Sequence, residues 1–322
     1  MQDNEQTAAP ELIAITNQLK VLDPTGDRFA VVIRDTIDQL LDGRRTGRWD
    51  YQQLYKTEKT HLGTLLEINL QKEFKFDDGD VTDYRIASVE VDCKFSQRVG
   101  GWELGPEMEG QYLLVLWASD EKSLWKAGLV KADRVLMRET TNRDAKRRLT
   151  EEGVQRILWL WPDNSTLAPN QLLHLAEDKR ERIMNAVGFR GQKSSIQSRV
   201  NQLFREVQNT IIRRTTLETV GYGADDPMKR ARGNGGARDF LRPEGITVLG
   251  HQENDPIVAQ ALGLPKPRKG EFIATRLVPV PSSTTERPAA EIENRYYAVA
   301  LEGETVPPAP IIPKKLSIDS TV

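Results

Sequence analysis

The chain has 322 residues, 38% apolar and 29% charged, enough for two packed domains under a polar surface. One cysteine, Cys93, excludes an intramolecular disulfide, and three histidines argue against a Cys/His zinc cluster. No apolar run approaches the roughly 18 residues of a membrane span. The net charge of −2 excludes a uniformly basic polyanion binder, but the charge is unevenly spread. Residues 179–242 hold fourteen Lys/Arg against six Asp/Glu, whereas residues 1–160 hold 23 against 28. A basic segment beside an acidic one suits a polyanion-binding module joined to a metal-binding module; it also suits a merely solvated basic surface. The polar, acidic start MQDNEQTAAPE reads as neither a signal nor a transit peptide, so a cytoplasmic protein with a reduced thiol is expected.

In chain order, Leu12, Ile13, Ile15 and Leu19, then Val32, Ile33, Ile37, Leu40 and Leu41, predict two helices over 11–42, broken by the turn DPTGDR. A third helix is predicted over 51–73 from Leu54, Leu62, Leu65, Leu66 and Leu70. FDDGD at 76–80 is a turn, and TDYRIASVEVDCKFS at 82–96 is strand-like. Alternation then puts Val89, Val91, Cys93 and Phe95 on a core face and Glu90, Asp92 and Lys94 on the other. QYLLVLWAS at 111–119 reads as a strand covered on both faces, and LWKAGLVKA as a further strand. These elements predict an α/β or α+β domain with a mixed central sheet over 1–160, and residues 161–170, rich in Pro, Asn and Ser, as a linker.

Over 171–322, Ile196, Val200, Leu203, Val207 and Ile211 recur at helical spacing, with Arg199, Arg205, Arg213 and Arg214 off that stripe or at its end. Pro227 suits a first helical position, the glycines of GNGGAR allow close backbone approach, and GITVLG and RYYAVAL are strands. Helices followed by short strands, with a basic connection, suit a winged-helix-like DNA-binding domain.

The chemistry concentrates at 67–94. Phosphodiester hydrolysis uses a divalent metal to neutralise transition-state charge and to supply hydroxide near neutral pH. Hard cations such as Mg²⁺ take carboxylate oxygens, with water and phosphate completing the shell. Asp83 and Asp92 would converge on one ion if the chain bends between them, with Glu67 as a third carboxylate and Lys94 beside the ion, orienting or deprotonating water. Spacing alone leaves the alternative of a solvated Asp92–Lys94 ion pair. What weighs against it is the apolar opposite face of the strand, since charges near a sheet centre need a reason.

The stretches LDPTGDR, VIRDTIDQLLDGRRTGRWDYQQLYKTEKTHLGTLLEINL, TDYRIASVEVDCKFS, LVLWASDEKSLWKAGLVKA, NRDAKRRLT, MKRARGNGGAR, LRPEGITVLGHQENDP and GLPKPRKG together resemble the NaeI-type type II restriction endonucleases along nearly the whole chain. The resemblance implies a bacterial homodimer with an N-terminal PD-(D/E)xK nuclease domain and a C-terminal, catabolite-activator-like helix-turn-helix domain over 171–322. It implies an Mg²⁺-dependent cut leaving 5′-phosphate ends, activation by a second copy of the recognition site, GCCGGC as that site, and a cognate DNA methyltransferase as functional partner. Its acidic and lysine positions fall on Glu67, Asp83, Asp92 and Lys94, the first three toward the metal; the proline of the wider motif is Thr82 here.

Other candidates are weaker. LLDG at 40–43 has leucine where a DNA ligase needs its nucleophilic lysine, so Leu40 is core. Lys56 and Lys59 of KTEKTH suit either phosphates or a solvated helix face. GNGGAR lacks the Gly-Lys-Ser/Thr of a phosphate loop; flanked by Arg230, Arg232 and Arg238, it is expected to meet a DNA backbone, against an ordinary Gly-rich turn, and Arg199 is a further DNA-binding candidate. His61, His174 and His251 form no ligand set. Two rival functions stay open: a repair or nicking nuclease of the same fold, and a non-catalytic DNA-binding regulator.

Overall fold

The computed structural model describes residues 9–139, 144–188, 195–281 and 286–314; the acidic residues 1–8 lie outside that range. The chain divides into two compact units, one of residues 1–41 and 50–170, the other of residues 42–49 and 171–322.

Helices α1 (Pro10–Leu22) and α2 (Asp27–Leu41) open the first unit, the short α3 (Gly43–Thr46) belongs to the second, and α4 (Lys56–Phe74) and the single-turn α5 (Glu151–Gln155) return to the first. The long helices α1, α2 and α4 follow the periodicity read from the sequence. The break between α1 and α2 is tied by Asp23, whose carboxylate oxygens accept the backbone N–H groups of Gly26 and Phe29 at 2.9 and 3.0 Å. The sheet runs β1 (Asp77–Asp78), β2 (Tyr84–Ile86), β3 (Val89–Ser96), β4 (Tyr112–Ser119), β5 (Leu124–Lys131) and β6 (Leu158–Trp159), neighbours in chain order. It is mixed: β3 and β4 pair in parallel and the other neighbours antiparallel. A mixed central sheet with helices against it fits a restriction-endonuclease-like fold.

The helices α1, α2 and α4 pack on one face through Ile15, Phe29, Ile33, Leu62, Leu66 and Leu70, against Val91, Cys93, Leu114 and Leu116. The opposite face, with Leu113, Val115 and Val130, is covered by Trp102, Leu104, Met108, Met137, Leu149 and Ile157. Strands β4 and β5 are therefore buried on both sides, as the continuous apolar run of β4 requires.

Two expectations change. Residues 82–96 form not one strand but a tight hairpin. Ala87 and Ser88 between β2 and β3 both take left-handed backbone angles, φ 51° and 64°, which is the two-residue turn whose twist matches paired strands. Residues 161–170, expected as a linker, pack into the first unit. Trp161 packs at a tilt against Phe29 and Trp125 with ring centroids 4.8 and 5.8 Å away, and its indole N–H donates to the Asp23 carbonyl at 3.0 Å. Leu167 is fully buried, and Asn170 donates to Asp120 at 3.0 Å. Polar composition marked the segment as loop; one tryptophan and one leucine anchor it.

Besides α3, the second unit holds α6 (Gln171–His174), α7 (Glu177–Met184), α8 (Ile196–Glu206), α9 (Arg214–Val220), α10 (Ala237–Leu241) and α11 (Asp255–Ala261). Ser195 caps α8 by accepting the Ser198 N–H at 3.1 Å, and Val200, Leu203 and Phe204 bury its apolar stripe. The helix ends at Glu206, so Ile211 lies outside it. Four antiparallel strands, β7 (Ile246–Leu249), β8 (Ile273–Val280), β9 (Ala289–Ile292) and β10 (Arg295–Val299), form a sheet in the order β7-β8-β10-β9. Strands β8 and β9 were not expected from the sequence. No helix among the described residues is long and apolar enough to cross a membrane.

Packing of residues 161–170 sets an expected outcome. Trp161→Ala should destabilise the protein by about 3–5 kcal/mol, the cost of truncating a buried aromatic. Asp163→Ala, an exposed neighbour, should stay within about 0.5 kcal/mol. Urea unfolding followed by circular dichroism distinguishes the two; equal midpoints would return the segment to a tether.

Candidate active site

The hairpin decides the site. Register pairs Tyr84 with Val91 and Arg85 with Glu90, so Asp83, one step beyond Tyr84, arrives opposite Asp92. The bend that the spacing required is the Ala87–Ser88 turn. Asp83 is anchored through Oδ2, which accepts the backbone N–H of Cys93 at 2.7 Å.

Strand β3 sits between β2 and β4, and Asp92 and Lys94 stand in register with Leu113 and Val115. Their face is thus the one lined by an apolar cluster, and Asp92 is only 4% exposed. The ammonium of Lys94 contacts Asp92 Oδ2, yet that buried oxygen has no hydrogen bond of good geometry. Burial pushes the Asp92 carboxyl above its ordinary range, against the pull of Lys94, with Asp83 adding to the rise. Lys94 is pushed up as well: burial opposes its charge, but Asp92 and Asp83 outweigh that and hold it cationic.

Glu67 lies on α4, which packs across the other face of β3. The Tyr84 hydroxyl donates to the Glu67 backbone carbonyl at 2.7 Å and so ties that turn of the helix to β2. The Glu67 carboxyl is half-buried and pushed up to about 7, first by burial, then by the charge of Asp83; Lys94 partly offsets the shift, and Asp92 adds to it. The four residues singled out in the sequence therefore form one electrostatic cluster.

Glu90, on the same strand and face as Asp92, was read only as a facing charge. Its carboxylate accepts the backbone N–H groups of Asp80, Val81 and Thr82 at 3.0, 3.2 and 3.1 Å, and the Thr82 hydroxyl at 2.8 Å. The Arg85 guanidinium also donates to it, at 3.1 Å. These donors, led by the Asp80 N–H and the Thr82 hydroxyl, hold the Glu90 carboxyl down at about 2. The signal for this role was tertiary: nothing in the spacing of Glu90 tells that a loop folds onto it.

Among the described residues no group of three His, Cys, Asp or Glu is close enough to enclose a metal ion. The donor set nevertheless suits a hard cation. Two carboxylates face each other with the Lys94 ammonium beside them, and Mg²⁺ takes only one or two protein carboxylates while water and phosphate fill the rest.

The residues expected to meet DNA separate into groups. Lys56 is exposed at the start of α4. Lys59 donates to the carbonyl and side chain of Gln52 at 3.5 and 3.3 Å and lies over the Tyr51 ring at 5.3 Å. Arg199 is buried: its guanidinium donates to the carbonyls of Val220 and Tyr222 at 2.8 and 2.7 Å and stacks on the Tyr222 ring. That is a correction, since a guanidinium buried at the end of α9 does not lie on a surface that a DNA phosphate can reach. Arg238 pairs with Asp255 at 2.5 Å. Arg230 and Arg232 are exposed on the segment between α9 and α10.

The chain matches the model of the family described as restriction endonuclease NaeI over residues 13–308. It is 53% identical over 312 residues to the type II restriction enzyme NaeI of Lentzea aerocolonigenes, an alignment covering 96% of this chain and 97% of that protein.

The raised carboxyl of Glu67 sets the sign of a pH effect. Between its ordinary 4.5 and its folded value of about 7 the native state holds a proton that the unfolded chain releases. Its contribution to stability is therefore full below pH 4.5 and is lost as pH rises toward 7. The metal-free protein is expected to melt at progressively lower temperature across that window, and Glu67→Gln should flatten the slope; a slope unchanged in the variant would place the titration elsewhere.

Proposed function

The chain belongs to the NaeI family of restriction endonucleases, a site-specific deoxyribonuclease acting on double-stranded DNA, and from that premise we propose that Asp83, Asp92, Lys94 and Glu67 are its catalytic residues and Mg²⁺ its cofactor. The observation that carries the assignment is the hairpin register that sets Asp83 opposite Asp92 with Lys94 ion-paired beside it. Asp83 and Asp92 would hold the metal, and Glu67 would assist through water or a second ion. When bound, Mg²⁺ supplies charge neutralisation at the scissile phosphate and a more acidic water.

The chain's own groups do the rest. Cys93 N–H fixes the Asp83 carboxylate in one orientation. Lys94, held cationic by Asp92, keeps its proton; it orients the attacking water by hydrogen bonding and stabilises negative charge growing on the phosphoryl oxygens. Of the two roles open to Lys94 from the sequence, orientation is therefore the one supported. In-line attack leaves a 3′-hydroxyl and a 5′-phosphate.

The second unit is read as the effector domain: a helix-turn-helix, winged-helix-like module around α8 and α9 that binds a further copy of the site, GCCGGC, and thereby activates cleavage. The enzyme is read as a homodimer paired with a cognate methyltransferase. Base edges would be met by Arg, Lys, Asn or Gln in the grooves. Family membership sets aside the non-catalytic regulator, and the repair or nicking alternative makes a different cut.

The test is digestion of plasmids carrying zero, one or two GCCGGC sites, with Mg²⁺ and with EDTA. Fast Mg²⁺-dependent double-strand cutting of the two-site plasmid is expected, with slow cutting of the one-site plasmid accelerated by site-bearing oligonucleotide. Nicked products alone would favour the nicking enzyme. Asp92→Ala and Lys94→Ala should abolish cutting while retaining DNA binding; near-wild-type cutting by either would remove the assigned site. For the effector, Arg230→Ala with Arg232→Ala should weaken binding and lower the salt slope by about 2, roughly one for each phosphate the variant leaves unneutralised. An unchanged slope would take both residues off the DNA.

A further inference from the structure

The loop that delivers Asp83 is held by something outside the four assigned residues. Between β1 and β2 the chain runs through Gly79, Asp80, Val81 and Thr82 before reaching Asp83. Three successive backbone N–H groups of this loop, those of Asp80, Val81 and Thr82, converge on one carboxylate, Glu90, at 3.0–3.2 Å. The Thr82 hydroxyl joins them at 2.8 Å, and Arg85 approaches the same carboxylate at 3.1 Å and Asp80 at 2.5 Å. A β1–β2 pairing of only two residues cannot order such a loop; an anion surrounded by amide donors can.

Gly79 shows how closely the loop wraps. A Cβ there would collide with the Thr82 carbonyl oxygen and lie 2.8 Å from a Glu90 carboxylate oxygen. Any larger residue would push the loop off the carboxylate. Glu90 stands two residues before Asp92 on the same face of β3, and the loop it gathers ends on Asp83. One strand thus carries Asp92 itself and the group that fixes the approach of its partner.

We propose that Glu90 is a positioning residue, whose carboxylate clamps residues 80–82 so that Asp83 is presented to the metal at the separation from Asp92 that the ion requires. It touches neither metal nor DNA; it acts through Asp83. The inference rests on the reading of Asp83 and Asp92 as metal carboxylates. Outer-shell groups that orient ligands change metal affinity or activity by about 10–100-fold when removed.

The experiment is Mn²⁺ binding to the full-length protein without DNA, measured by calorimetry, together with the Mg²⁺ dependence of cleavage and the melting temperature. Glu90→Gln keeps the side-chain shape but turns an amide toward backbone N–H donors. Its Mn²⁺ affinity should fall about tenfold, and the Mg²⁺ concentration for half-maximal cleavage should rise by a similar factor, while the rate at saturating Mg²⁺ falls much less. Gly79→Ala, which opens the loop from the other side, should move both readouts in the same direction. Thr82→Val, which removes the hydroxyl shared between Glu90 and the Tyr84 carbonyl but leaves the three amide donors, should produce a smaller shift and serves if Glu90→Gln does not fold. Wild-type Mn²⁺ affinity and Mg²⁺ half-saturation in these variants, with or without a lowered melting temperature, would overturn the proposal and leave Glu90 a purely structural clamp. Asp83→Asn separates the two levels: if it leaves Mn²⁺ binding unchanged, the metal reading of Asp83 falls and the role of Glu90 falls with it.

Discussion

With Ala87 and Ser88 both left-handed, β2 and β3 pair in one register only, and that register sets Asp83 opposite Asp92. Neither turn residue is glycine, so the conformation costs backbone energy that the flanking pairs must offset. They do so from both sides: Tyr84 is fully buried and bonded to the Glu67 carbonyl, and Val91 is fully buried in the helix-facing core. With β3 held in register by β4, a slip of one residue would turn Tyr84 out of the helix-facing core and Asp83 into it. Core packing thus enforces the geometry of the acidic pair.

Electrostatics runs against packing at the same spot. Asp92 is buried next to an apolar cluster, Glu67 is pushed to about 7, and Lys94 is the cation set among three carboxylates that perturb one another. A fold optimised for stability would neutralise or remove such charges. Elsewhere in the first unit it does so: Arg34, also buried, is ion-paired to both Asp38 and Asp120, and Asn170 completes the arrangement. The contrast marks the site. On the proposed function, the uncompensated charge at Asp92 and Glu67 is what a cation and a phosphate would offset.

The basic surplus of residues 179–242 divides in the same way. Arg199 caps backbone carbonyls, Arg182 pairs with Asp178 and Glu206, Arg205 with Glu244, and Arg238 with Asp255. Much of the local charge excess is therefore spent inside the unit, and Arg230 and Arg232, both exposed, are what remains of the expected patch. A count of charges along a chain measures supply, whereas binding DNA needs cations that have no other carbonyl or carboxylate to satisfy.

Helices α1, α2 and α4 and strands β3, β4 and β5 were legible in the chain because apolar periodicity is set locally, whereas the four proposed site residues were picked out by the resemblance to a family, which carried the acidic and lysine positions. Tertiary structure decided the rest. That 82–96 is a hairpin depends on pairing energy shared with β4, that 161–170 is packed depends on a pocket made by Phe29 and Trp125, and that Arg199 is a cap depends on where α9 ends. The role of Glu90 is the clearest case: a carboxylate becomes a clamp only when three amides of a distant loop converge on it. Local pattern reports which face a side chain takes; which donors meet it there is decided by chain closure, a non-local constraint that no residue spacing encodes.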